Sequence, residues 1–71
     1  MKLHINGKES ILSGDAVDGS YTLAALVESL GMKPDRVAVE LNRKIIARDR
    51  WLETTLSEDD RLEIVQFVGG G

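Results

Sequence analysis

The 71-residue sequence has no cysteine. That excludes disulfides, thiolate zinc sites and thiol nucleophiles, and an unstapled chain of this kind fits a reducing setting, so a cytoplasmic location is expected. Long apolar runs are also missing. Met1-Lys2-Leu3-His4-Ile5-Asn6 alternates apolar with polar residues and lacks the apolar stretch of a signal peptide, so a soluble chain with an unprocessed N-terminus and no membrane partner is expected. Nine basic residues against twelve acidic ones, a net charge of −3 without a Lys/Arg stripe, offer no footprint for a phosphate backbone and exclude nucleic acid as a partner. The length allows one small, marginally stable domain with no room for a large internal substrate cavity.

What is present is short-range pattern. Leu3 and Ile5 alternate with Lys2, His4 and Asn6, the period of a half-buried strand. Asn6-Gly7 suits a type I′ turn, in which both central residues need positive φ, and Lys8 to Leu12 supplies the return strand. Ser13 to Ser20, with two glycines and two aspartates, reads as a loop. Within Thr22 to Leu30, the residues Leu23, Leu26, Val27 and Leu30 form one buried helical stripe, with Ser20 or Thr22 as N-cap. Gly31 ends that helix as a left-handed cap, Met32 is placed to close over it, and Pro34 prevents resumption.

Val37, Val39 and Leu41 alternate with Ala38 and Glu40 as a third strand ending at Asn42-Arg43, and Lys44-Ile45-Ile46-Ala47 follows as a short apolar segment. Arg48 to Leu52 reads as a helical turn that brings Trp51 against the core edge. After the polar turn Ser57-Glu58-Asp59-Asp60, a last strand runs from Arg61 to Val68, with Leu62 and Ile64 on one face and Glu63, Val65 and Phe67 on the other. The economical solution is an α+β fold, a mixed sheet with one main helix packed on one face. With the first and last strands placed side by side in the middle, a pairing order the sequence does not itself display, this is the β-grasp arrangement. Residues 1–68 form that domain, and residues 69–71 a flexible glycine tail.

The sequence holds no catalytic constellation. His4, the single histidine, falls on the polar side of a strand, where a solvent-facing or partner-facing role fits better than catalysis. Glu58-Asp59-Asp60 lacks the spacing and glycine of a calcium loop, and Gly14 and Gly19 are followed by no Lys-Ser/Thr phosphate cradle. No metal ligand set is predicted. The remaining unusual feature is Gly69-Gly70-Gly71. Without side chains such a tail can thread a channel too narrow for other residues. Its carboxylate, ionised at pH 7, can attack the α-phosphate of a nucleotide. The acyl-adenylate so formed has AMP as leaving group, and a sulfur donor displacing AMP leaves a thiocarboxylate. A plain frayed end is the competing reading. Because the glycines follow a strand directly, and because Val65, Phe67 and Val68 cannot all be core if Leu62 and Ile64 point inward, an apolar docking patch beside the tail is expected. Its rival is a patch covered by the Trp51 segment.

The residues that carry the pattern resemble a known family. The early Asn6-Gly7 hairpin, the helix ending Leu30-Gly31, Val37-Ala38-Val39-Glu40-Leu41-Asn42, Ile45-Ile46-Ala47-Arg48 with Trp51, and Leu62 through Gly71 are similar to the ThiS family, the ubiquitin-like β-grasp sulfur carriers of thiamine biosynthesis. The likeness covers the whole length. It implies that Gly71 is adenylated and then converted to a thiocarboxylate, that Gly69 and Gly70 form the thread, and that the chain itself is no enzyme and binds no cofactor. It also implies a ThiF-type adenylating enzyme using ATP and Mg, a desulfurase or sulfurtransferase as sulfur donor, and the thiazole synthase ThiG as acceptor. A diglycine end on a β-grasp domain is shared with the molybdopterin-synthase small subunit and with ubiquitin-like modifiers, so both stay open, as does a plain β-grasp interaction module. One departure is Asp59-Asp60, where such carriers commonly read Gly-Asp before the last strand.

Overall fold

A computed structural model of the chain describes residues 1–12 and 21–67. The expected loop at residues 13–20, and Val68, Gly69, Gly70 and Gly71, lie outside the described residues. Strands β1 (Lys2–Ile5) and β2 (Lys8–Ile11) pair antiparallel, from Lys2 opposite Ile11 to Ile5 opposite Lys8. Asn6 (φ 51°) and Gly7 (φ 82°) supply the two left-handed residues that the type I′ turn requires.

Helix α1 (Leu23–Ser29) starts at Thr22, whose hydroxyl accepts the Ala25 N–H at 3.1 Å. It ends in a Schellman motif. The Gly31 N–H donates to the Glu28 carbonyl at 3.0 Å, the Met32 N–H donates to the Val27 carbonyl at 3.4 Å, and Gly31 is left-handed at φ 73°. A Cβ at Gly31 would meet nothing within 4 Å, so the backbone conformation, not space, selects glycine there. Met32 packs against the core as the cap demands. Leu30 departs from the expected stripe: it is the C-cap residue and 41% exposed, because the helix ends before its side chain turns inward, and only Leu23, Leu26 and Val27 are buried.

A 3₁₀ turn at Pro34–Arg36 leads into β3 (Val37–Leu41). The segment from Lys44, expected as a merely apolar stretch, is a strand, β4 (Lys44–Ile46), paired antiparallel with β3 through a two-residue turn at Asn42 (φ 49°) and Arg43 (φ 72°). The last strand, β5 (Arg61–Gln66), stops short of the expected Val68: Phe67 has left the ladder and donates its N–H to the Arg36 carbonyl at 2.7 Å. The sheet order is β2-β1-β5-β3-β4, with β1 and β5 parallel and every other pair antiparallel. The first and last strands are therefore central, as the β-grasp arrangement requires.

One face of this sheet, through Leu3, Val37, Val39, Leu62 and Ile64, packs against Leu23, Leu26 and Val27 of α1 to form the core. Leu56 and Trp51 close its edge. Trp51, carried on a 3₁₀ stretch at Arg48–Glu53, is 3% exposed, and its indole N–H donates to the Ile46 carbonyl at 2.9 Å. A large aromatic with one polar atom is buried cheaply only when that atom finds such a partner.

Candidate functional site

The site is built on β5. Alternation sends Leu62 and Ile64 into the core and Glu63 and Val65 to the opposite face of the sheet. Val65 is 55% exposed and Phe67 56%. Register adds neighbours that the sequence alone did not assemble: Val65 stands opposite Ala38, Glu63 opposite Glu40, and on the far side of β3 Glu40 stands opposite Ile45. Ile45 is 82% exposed. Together Ala38, Glu40, Ile45, Glu63 and Val65 line a shallow depression of about 150 Å3. The period-two pattern of β3 already pointed Ala38 and Glu40 outward; what could not be read was that β3 lies beside β5.

The Trp51 segment does not cover this face. Trp51 is a core residue, whereas Val65 and Phe67 remain open. Of the three apolar residues singled out in the sequence, Val65 and Phe67 are exposed near the end of β5, and Val68 is outside the described residues.

Two turn asparagines hold β5 from either side. The Asn6 carboxamide accepts the Ile64 N–H at 2.8 Å and donates to the Ile64 carbonyl at 3.1 Å. The Asn42 carboxamide accepts the Arg61 N–H at 3.0 Å and donates to Asp60 Oδ1 at 3.0 Å. With Phe67 anchored to Arg36, the path of the chain is set on both sides up to the point where it leaves the sheet.

The charged groups gather at the other end of β5. Lys2 Nζ lies 3.3 Å from Asp59 Oδ1 and 3.6 Å from Glu9 Oε1, and His4 Nε2 lies 3.4 Å from Asp59 Oδ1. The hydrogen bond from Lys2 holds the Asp59 carboxyl below its ordinary value; the Lys2 charge and His4 act in the same direction, against partial loss of hydration. The bond to Asp59, then the Asp59 and Glu9 charges, raise Lys2. Asp59, at the place where the resemblance leads one to expect glycine, adopts φ 67°, the conformation for which glycine would be the easy choice. Glu58 and Asp60 are likewise engaged in the turn, Glu58 Oε2 accepting the Lys2 N–H at 3.0 Å and Asp60 Oδ2 accepting the Ser57 N–H at 2.7 Å. Glu58 and Asp59 therefore bind the turn to β1, while Asp60 braces the turn itself and ties it to Asn42. Among the described residues no group of three His, Cys, Asp or Glu side chains is placed to hold a metal ion, and no helix is long and apolar enough to cross a membrane.

Comparison with known proteins returns the same fold. Residues 3–71 match the model of the ThiS family. The chain is 38% identical over 69 residues to the sulfur carrier protein ThiS of Bacillus subtilis, covering 97% of this chain and 98% of that one. It is 38% identical over 71 residues to a thiazole synthase of Magnetococcus marinus, covering all of this chain but 20% of that protein. The chain thus spans about a fifth of the length of the thiazole synthases it matches. The crystal structure of the thiamine biosynthesis protein ThiS from Geobacter metallireducens superposes with a TM-score of 0.80 at 33% identity, over the whole of both chains.

Proposed function

The chain belongs to the ThiS family, and we propose that it is a sulfur carrier of thiamine biosynthesis whose sulfur is carried on the carboxyl group of Gly71. The observation that supports this reading is the extent of the family match, which runs through residue 71 and so includes Gly69, Gly70 and Gly71, directly beyond the anchored end of β5.

The carboxylate of Gly71 attacks the α-phosphate of ATP in a ThiF-type adenylating enzyme, and pyrophosphate leaves. ATP and Mg belong to that enzyme. A desulfurase or sulfurtransferase then delivers sulfur at the oxidation level of sulfide to the acyl carbon. AMP departs with one of the two original carboxylate oxygens, and a thiocarboxylate remains. Gly69 and Gly70 offer no side chain to the channel they thread, and Val65, Phe67 and Val68 dock on the partner. This chain contributes no catalytic group: it folds, docks and presents a terminus. The acceptor is a thiazole synthase of the ThiG type, a reading supported by relatives in which a segment like this chain belongs to a protein called thiazole synthase. A cytoplasmic setting belongs to the same reading, since the activation consumes ATP.

Incubation with ATP, Mg, the adenylating enzyme and a sulfur source is expected to give a product heavier by one oxygen replaced with sulfur, located at Gly71 by fragmentation mass spectrometry. Absence of that product in the complete mixture, with adenylating enzyme proven active on another carrier, overturns the proposal. Deleting Gly71 is expected to abolish the product.

A further inference from the structure

The face beside Val65 carries an arrangement that packing within this chain does not explain. Glu40 and Glu63 stand directly opposite each other on the antiparallel β3–β5 pair, both on the side away from the core. Like charges in that relation destabilise a sheet, and a lysine at either place would stabilise it. Arg43 and Arg61 border the same two glutamates across a recess of about 250 Å3, yet among the described residues neither glutamate forms an ion pair within 4 Å. Aliphatic surface flanks the pair: Ala38 and Val65 on one side and Ile45 on β4, all lining the same depression.

Two carboxylates that make no ion pair within 4 Å among the described residues and stand beside apolar surface are complementary to one kind of group, a cation whose long stem is itself aliphatic. An arginine or lysine reaching this depression would lay its methylenes on Ala38, Ile45 and Val65 and bring its charged head between Glu40 and Glu63. A guanidinium, with donors in a fixed fork, can bond both carboxylates at once.

We propose that the Glu40–Glu63 pair is the specificity determinant of the docking face, and that it receives an arginine or lysine of the thiazole synthase. This rests on the sulfur-carrier reading above and names the chemistry of the contact. The cross-strand repulsion in the free chain is relieved when that cation arrives, so the pair favours the bound state over the free one.

The test measures affinity of the full chain for the thiazole synthase of the same organism by calorimetry, alongside the melting temperature of each variant. Glu63→Gln is expected to bind about ten-fold more weakly, the scale of one charge-assisted contact, and Glu63→Lys more weakly still. Both variants are expected to melt no lower than the parent, and Glu63→Lys higher, because the introduced ammonium can pair with Glu40. A gain in stability with a loss of affinity cannot come from misfolding. Glu28→Gln, an equal change of net charge at an exposed position of helix α1, is expected to bind like the parent. Unchanged affinity in Glu63→Gln overturns the proposal, as does equal weakening by Glu28→Gln or no binding by the parent chain. In each of those cases thiocarboxylate formation on the parent chain, measured separately, still decides the sulfur-carrier reading.

Discussion

The side chain of Asn6 is bonded to both backbone polar groups of Ile64, accepting the N–H at 2.8 Å and donating to the carbonyl at 3.1 Å. It thereby extends the parallel β1–β5 pairing past the point at which β1 turns away, acting as one more rung. The same residue must also hold φ 51° at the hairpin turn, which Asn tolerates better than most residues.

These two duties separate experimentally. Asn6→Gly keeps the left-handed turn and removes the rung, leaving two partly buried groups of Ile64 without the side-chain partner. A loss of about 1–3 kcal/mol in urea denaturation is expected, the cost of unsatisfied backbone polar groups. A loss below about 0.5 kcal/mol would show that the carboxamide contributes through turn preference alone.

Asp59 makes stability depend on pH in a defined direction. Its carboxyl is held below the ordinary 3.8, so the folded state favours the ionised form. The contribution is complete above the unfolded value and is lost as pH falls through the lowered folded value. Lys2, raised above 10.5, contributes fully below that value and loses its contribution as pH rises through the raised one. Asp59→Asn keeps a residue suited to φ 67° and removes the charge. Melting temperatures across the acid range are expected to fall less steeply in this variant than in the parent, and to start lower at neutral pH. Parallel curves would place the acid sensitivity elsewhere.

Phe67 and Val65 are each more than half exposed, so replacing them is expected to separate folding from docking. Phe67→Glu is expected to change stability by less than about 0.5 kcal/mol. It is expected to weaken binding to the adenylating enzyme by about 2 kcal/mol, typical of a lost interface anchor. A comparable loss of stability would mean that Phe67 packs within its own chain.

Much of this fold was legible because its signals are local. Asn6-Gly7 announces its own turn, the spacing of Leu23, Leu26 and Val27 its own helix, and Gly31 its own cap. Strand β4 was not legible as a strand, since three residues are too few for an alternation, and Ile45 and Ile46, adjacent and both apolar, point to opposite faces. Its turn also gave no warning: Arg43 adopts φ 72° without glycine's freedom. The rung between Asn6 and Ile64, and the Asn42 contact with Arg61, join residues far apart in sequence, and no period can encode them. For the candidate site, alternation alone exposed Val65 and Phe67. The depression that Val65 borders needed Ala38, Glu40 and Ile45, and these arrive only through strand order.

Strand order also bears on how the chain is made. The central place in the sheet is held by β5, the last of the five strands in sequence. During synthesis β1 waits with one edge open, and β3 has no inner neighbour until residues 61–66 leave the ribosome. Closure is therefore late and rests on long-range pairing, which is slow to form. The glycines emerge immediately behind the strand that completes the body. A chain that has failed to fold still possesses those glycines, but it lacks the paired surface of β3, β4 and β5 that a partner would grip. On the function proposed above, a partner that grips this surface therefore selects molecules whose sheet is complete.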